Sequence, residues 1–179
     1  MLPRQTLDHF DSFLEVRSLR LEAIVVGGSA LFLIGIIDRP TRDVDVLHPD
    51  LPAPIADASR AFALEMRGRG IELADTWLNN GPSSLSRVLP DGWRQRTQPA
   101  FSGRVLVLET LGRADLLKTK LFALCDRGTD LADCMAFSPT AEELEEALPW
   151  VALQDANESW PAHVEKTILD LRRRLGHDV

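Results

Sequence analysis

Apolar residues at Leu7, Phe10, Phe13 and Leu14 recur every three or four positions. This spacing predicts an amphipathic helix over residues 6–18, with Asp8 and Asp11 facing water. The period then changes. Ile24, Val25 and Val26 form a short β-branched run that reads as a buried strand, stopped by Gly27-Gly28. Residues 30–36 read as a helix capped by Ser29, and Pro40 keeps the following loop from continuing it. From residue 43 to 47 the pattern alternates, so Asp43 and Asp45 share one face of a strand while Val44 and Val46 share the other. A helix over residues 55–67 follows from Ile55, Ala58, Phe62 and Met66. Residues 71–78, 84–89, 92–97 and 105–108 read as further strands, separated by turns at 79–82 and 90–92. Beyond residue 115 the pattern is helical. Leu117, Leu121 and Leu124 share a face, Thr140 and Glu143 make a capping box, and Val164, Ile168, Leu171 and Leu175 stripe a last helix. Strands early and helices late predict an α+β fold. A mixed sheet packed with helices would occupy residues 1–112, and a helical part, 113–179, would pack on it as one compact unit.

The first strand and its turn carry candidate chemistry. A helix opened by glycines presents free backbone N–H groups and a positive dipole end, which suits a phosphate. Asp43 and Asp45 stand close to it in sequence, and two like charges on one face are best reconciled by a divalent cation between them. Mg²⁺ is commonly held by one or two carboxylates together with substrate phosphates. Arg39 and Arg42 flank Thr41 and would face a triphosphate, or simply sit in surface ion pairs. Together these features point to nucleotide chemistry.

Gly27-Gly28-Ser29 followed by Arg39-x-Thr41-x-Asp43-x-Asp45 resembles the signature of the nucleotidyltransferase (polymerase-β-like) superfamily, and within it the AbiEii/MenA-type toxin branch. The resemblance implies a nucleotidyltransferase-like mixed sheet. It also implies that Gly27, Gly28 and Ser29, with Arg39, Thr41 and Arg42, hold the triphosphate of an NTP. Asp43 and Asp45 would bind Mg²⁺, with two ions clamping the attacking and leaving oxygens. A third carboxylate is implied on a strand beside the first pair. Asp75 is the nearest candidate, with Glu109 behind it.

A second block resembles the same branch: Lys120-Leu-x-Ala-Leu124, then Arg127-Gly128, then Asp130-x-x-Asp133. Carried over, Lys120 would neutralise triphosphate charge, and Asp133 would orient the nucleophile or hold Lys120. The plain readings are a snorkelling lysine and a solvated helix acid. On either reading, Lys120→Ala is expected to cost little stability.

Composition narrows the acceptor and the compartment. A formal net charge of −7 over 179 residues gives no general attraction to nucleic acid, so an RNA substrate would need a local basic patch. Cys125 and Cys134 are too few for a disulfide framework and suit reduced thiols in the cytoplasm. The first residues lack a basic start followed by an apolar run, so no secretory signal is expected, and no membrane partner. The resemblance thus implies a cytoplasmic transferase moving a nucleoside monophosphate to an acceptor such as tRNA or another RNA, with an antitoxin protein as partner. The alternatives are an antibiotic-type nucleotidyltransferase acting on a small molecule, and a non-catalytic nucleotide-binding module.

Overall fold

A computed structural model describes residues 4–177. Among these residues are seven α-helices and one five-stranded mixed sheet, so the α+β class is as expected. Contacts divide the chain into two units. Residues up to Leu89 together with Arg94–Leu111 form the first, and Pro90–Trp93 with residues from Gly112 onward form the second. Among the described residues no helix is long and apolar enough to cross a membrane.

The first unit runs α1 (Arg4–Val16), β1 (Leu21–Val26), α2 (Gly27–Leu33), β2 (Val44–His48), α3 (Ala53–Gly68), β3 (Leu78–Asn79), β4 (Gln98–Ser102) and β5 (Leu106–Thr110). The strand order is β3-β2-β1-β5-β4. β1 pairs antiparallel with β2 and parallel with β5, β3 is parallel to β2, and β4 is antiparallel to β5. Apolar alternation buries Leu21, Ala23 and Val25 with Leu106 and Leu108 on one face, which α1 helps to cover. Phe10, Phe62 and Trp77 close this core, with the Phe10 and Trp77 rings edge-to-face at 4.9 Å.

Several expected strands are not strands. Only Leu78 and Asn79 of residues 71–79 pair with β2. Leu73 and Trp77 are both buried four residues apart, and Trp77 turns its indole N–H onto the Ser59 carbonyl at 3.1 Å. Its anchoring to α3 decides the path of the chain. Residues 83–87 and 93–96 are short 3-10 helices. In the first of them Ser86 satisfies the backbone locally, donating to the Ser83 carbonyl at 2.6 Å. β4 went unread in the sequence because Pro99 interrupts its alternation, which an edge strand tolerates.

Asp11 also departs from expectation, being buried rather than wet. Its carboxylate accepts three backbone N–H bonds, from Arg104 (3.0 Å), Val105 (2.9 Å) and Leu106 (2.8 Å). Gly103 leaves no room for a Cβ beside it. Burial alone would push the Asp11 pKa up, but these bonds and the Arg104 charge outweigh burial and hold it below the ordinary value of 3.8. A helix acid thereby fixes the start of β5 against α1.

The second unit is helical: α4 (Arg113–Arg127), α5 (Leu131–Phe137), α6 (Ala141–Ala152) and α7 (Trp160–Arg174). Leu117, Leu121 and Leu124 are buried on α4, as are Val164, Ile168 and Leu171 on α7. The Thr140–Glu143 capping box opens α6 as the sequence predicts. Arg113 lies across the Phe137 ring at 4.5 Å and pairs with Glu143 at 2.6 Å, tying α4 to the start of α6.

Candidate active site

The turn between β1 and α2 is shaped by Gly27, whose φ of +76° places it in the left-handed region. A Cβ here would lie 2.6 Å from Asp45 Oδ2, and one at Gly28 would lie 3.1 Å from the Thr41 methyl carbon. The turn's backbone therefore rests directly on β2 and on the loop before it. α2 begins at Gly27 itself, earlier than expected, with Val26 at the N-cap position and no side-chain cap. Ser29 lies inside the helix rather than at its cap. Its buried hydroxyl donates to the Val26 carbonyl at 3.2 Å, beside Leu7, Phe32 and Val44.

The acidic pair follows the predicted alternation. Val44 and Val46 are buried, Asp45 is half-buried on β2, and Asp43 is exposed just before the strand. Buried Thr41 donates its hydroxyl to the Asp43 carbonyl at 3.1 Å, which pins the chain between the two acids and the glycine turn. Arg39 and Arg42 are exposed on the same loop. Gly27, Gly28, Thr41 and Asp45 are thus brought together, with Asp43 at the rim.

Asn79 completes this group and was not anticipated. The parallel pairing of β3 with β2 sets it opposite Asp45, and its Nδ2 donates to Asp45 Oδ1 at 3.1 Å. Its Oδ1 accepts the Gly81 N–H at 2.7 Å. The sequence signal was the Asn79-Asn80-Gly81-Pro82 run, which reads only as a turn. Asp75 lies in the loop ahead of β3, where its 61%-exposed side chain pairs with Arg67 at 2.8 Å. Glu109 lies on β5 opposite Ile24 and accepts the Thr97 hydroxyl at 3.1 Å. Among the described residues, no three His, Cys, Asp or Glu side chains form a group able to hold a metal ion. Neither Asp75 nor Glu109 joins Asp43 and Asp45 in such a set.

The second unit carries its own charged cluster. Lys120 is only 5% exposed, and its Nζ donates to Asp130 Oδ1 at 2.9 Å and to Asp133 Oδ2 at 2.7 Å. Gly128, in the left-handed conformation at φ +69°, ends α4 and lets the chain turn so that the start of α5 faces Lys120. Asp130 also meets Arg127 at 3.3 Å. Lys118 is half-buried, on a different side of α4. Lys120 is therefore neither snorkelling nor a surface residue, and truncating it strands two carboxylates. The adjacent Cys134 thiol is pushed up to about 12, mainly by burial and further by Asp130. Burial likewise raises Cys125 to about 11, so neither sulfur is a nucleophile at neutral pH.

A family model described as nucleotidyltransferase of unknown function (DUF6036) matches residues 5–141. That span is well over half of the chain and includes both the Gly27–Asp45 region and the Lys120 cluster, so the chain belongs to this family. No curated protein and no solved structure matches it.

Proposed function

From this membership and the geometry around Asp45, we propose that the chain moves a nucleoside monophosphate from an NTP to an acceptor, in a Mg²⁺-dependent reaction. The observation that carries the reading is the packing of the Gly27 backbone against Asp45, with Asp43 two residues away. The donor set suits a hard cation: two carboxylates, one exposed and one half-buried, leave positions for phosphate oxygens and water. Asp43 and Asp45 would hold the ion, which when bound would neutralise charge on the phosphates and polarise the α-phosphorus.

The chain's own groups supply the rest. Backbone N–H groups at the Gly27-Gly28 turn, with Arg39 and Arg42 on the neighbouring loop, would bind the phosphates. Thr41 fixes that loop, and Ser29 contributes through its backbone, since its hydroxyl is engaged with Val26. An acceptor oxygen forms a bond to the α-phosphorus as the bond to the pyrophosphate oxygen breaks. The acceptor proton passes to an aspartate, and pyrophosphate leaves. The resemblance of the second block supports a role for Lys120 on the leaving phosphates, with Asp130 and Asp133 fixing its position.

The acceptor we propose is tRNA or another RNA, in a cytoplasmic toxin with an antitoxin partner, on the resemblance to the AbiEii/MenA-type branch. One observation favours a second reading. β1, β2 and β5 leave a groove of about 440 Å³ whose lining includes Glu22, His48 and Glu109. Its two carboxylates suit a polyamine-like small molecule better than a polyanion. Incubation with each α-labelled NTP, with cell RNA in one arm and polyamine antibiotics in the other, tests both. Label in neither fraction, in the presence of Mg²⁺, overturns the transferase reading.

A further inference from the structure

We infer that Thr41 is a positioning residue with two working faces: its hydroxyl sets Asp43, its methyl group seats the glycine turn, and neither touches nucleotide or metal. The inference rests on the reading of Asp43 as a metal ligand and of the Gly27-Gly28 turn as the phosphate site. It adds how the two are held in register. Thr41 is 7% exposed, on the loop between α2 and β2. Its Oγ1 donates to the Asp43 carbonyl at 3.1 Å, so the hydroxyl proton is already committed within the chain. Its Cγ2 lies 3.1 Å from the place where a Cβ on Gly28 would stand, which is close contact with the turn. Leu7, Ser29, Phe32 and Val44 wall the other sides, around a space of about 10 Å³ that is too small to admit a phosphate.

Threonine is the residue type that offers both contacts from a single Cβ. A β-branched side chain is stiff about χ1, and here each branch has its own neighbour. The turn and the Asp43 backbone are therefore spaced by one rigid group. Serine would keep the hydroxyl contact alone, and valine, of the same shape, the methyl contact alone. The two faces can thus be removed one at a time without a large change in volume. Outer groups that orient a metal ligand typically change metal affinity 10–100-fold when removed.

Two binding measurements on the full-length chain separate the faces: Mn²⁺ affinity by electron paramagnetic resonance without nucleotide, and affinity for ATP, GTP, CTP and UTP by calorimetry in EDTA. Thr41→Val should bind Mn²⁺ about tenfold more weakly and keep wild-type affinity for the nucleotide. Thr41→Ser should keep wild-type Mn²⁺ affinity and bind nucleotide up to about fourfold more weakly, the equivalent of one buried methyl group. Gly28→Ala presses on that methyl and should weaken nucleotide binding too. Combined with Thr41→Ser, which makes room, it should bind more tightly than Gly28→Ala alone. Wild-type Mn²⁺ binding by Thr41→Val, or wild-type nucleotide binding by Thr41→Ser, overturns the inference. So does the loss of both affinities together in either variant, which marks a merely structural residue. A double variant no better than Gly28→Ala removes the methyl face, and this arm decides even if Thr41→Val fails to fold. Asp43→Asn is the reference and should lose Mn²⁺. Wild-type binding by Asp43→Asn would instead sink the metal-ligand reading, and a wild type that takes up no nucleotide would sink the phosphate reading.

Discussion

The acidic pair of the first unit and the acidic pair of the second are built on opposite plans. Asp43 and Asp45 come from one stretch of chain and stand at least partly in water; the Thr41 hydroxyl holds the Asp43 backbone, and the Asn79 amide and the Gly27 turn meet the Asp45 carboxylate. Asp130 and Asp133 close around a buried lysine that joins two helices. A carboxylate that still meets water is open to an incoming cation. A buried ammonium cancels most of the charge before any ligand arrives, so its first effect is on packing. Substitutions should separate the two plans cleanly.

The largest effect is expected at Asp45. Asp45→Asn or Asp43→Asn should lower nucleotidyl transfer on the order of 10³-fold or more, as for groups acting as a catalytic unit. Folding stability should change little, because like charges on one face contribute no mutual stabilisation. Full label transfer by either variant would remove the pair from the mechanism. Lys120→Ala should show the reverse emphasis. It leaves Asp130 and Asp133 facing each other in a site only a few per cent exposed on the lysine side, and should cost about 3–5 kcal/mol in urea denaturation. Lys118→Ala, its half-buried neighbour, should stay within about 0.5 kcal/mol. Equal midpoints for the two variants would show that the buried cluster contributes nothing.

Asp11 offers a third plan, a carboxylate held by backbone N–H groups alone apart from the Arg104 charge. Its folded pKa lies below 3.8, so its contribution is fully present above about pH 4 and is lost as pH falls through the folded value. The Glu143 carboxyl is lowered too, chiefly by its bond to Arg113, and acts in the same direction. Stability should therefore decline on acidification below pH 4, and Asp11→Asn should flatten that decline while lowering stability near neutrality by about 1–3 kcal/mol. An unchanged acid limb would contradict the role of the three N–H bonds. The smallest effect belongs to Ser29→Ala. Its hydroxyl is engaged with Val26, so about 1 kcal/mol of stability is at stake, and NTP affinity should shift less than about threefold. A larger loss of affinity in nucleotide titrations would mean that the hydroxyl turns toward the phosphates on binding.

What could be read from the sequence was local. The β-branched run into Gly27-Gly28 and the alternation through Asp45 place strand, turn and acids because each depends on neighbours a few residues away. The Thr140 cap is legible for the same reason. The partner of Asp45 was not, since a two-residue parallel strand has no pattern of its own and Asn79 acquires its role only through a pairing 34 residues back along the chain. Asp11 reads as wet on its helix and is buried because β5 begins beside it, more than 90 residues later. Lys120 taken without the resemblance reads as a snorkelling lysine, until the left-handed turn at Gly128 brings α5 against it. In each case a polar side chain is committed by a distant backbone, which periodicity does not encode.

The sheet edges carry a consequence for the behaviour of the chain at high concentration. β3 is two residues long, too short to template another strand, and β4 has Pro99 in place of a hydrogen-bond donor. Exposed strand edges are where polypeptides add to one another and grow into fibrils. With one margin truncated and the other interrupted, the sheet offers no continuous ladder for a foreign strand. Warming or concentrating the protein should therefore lead to amorphous clumping through apolar side chains such as Leu64 and Val16, rather than to ordered β-assembly.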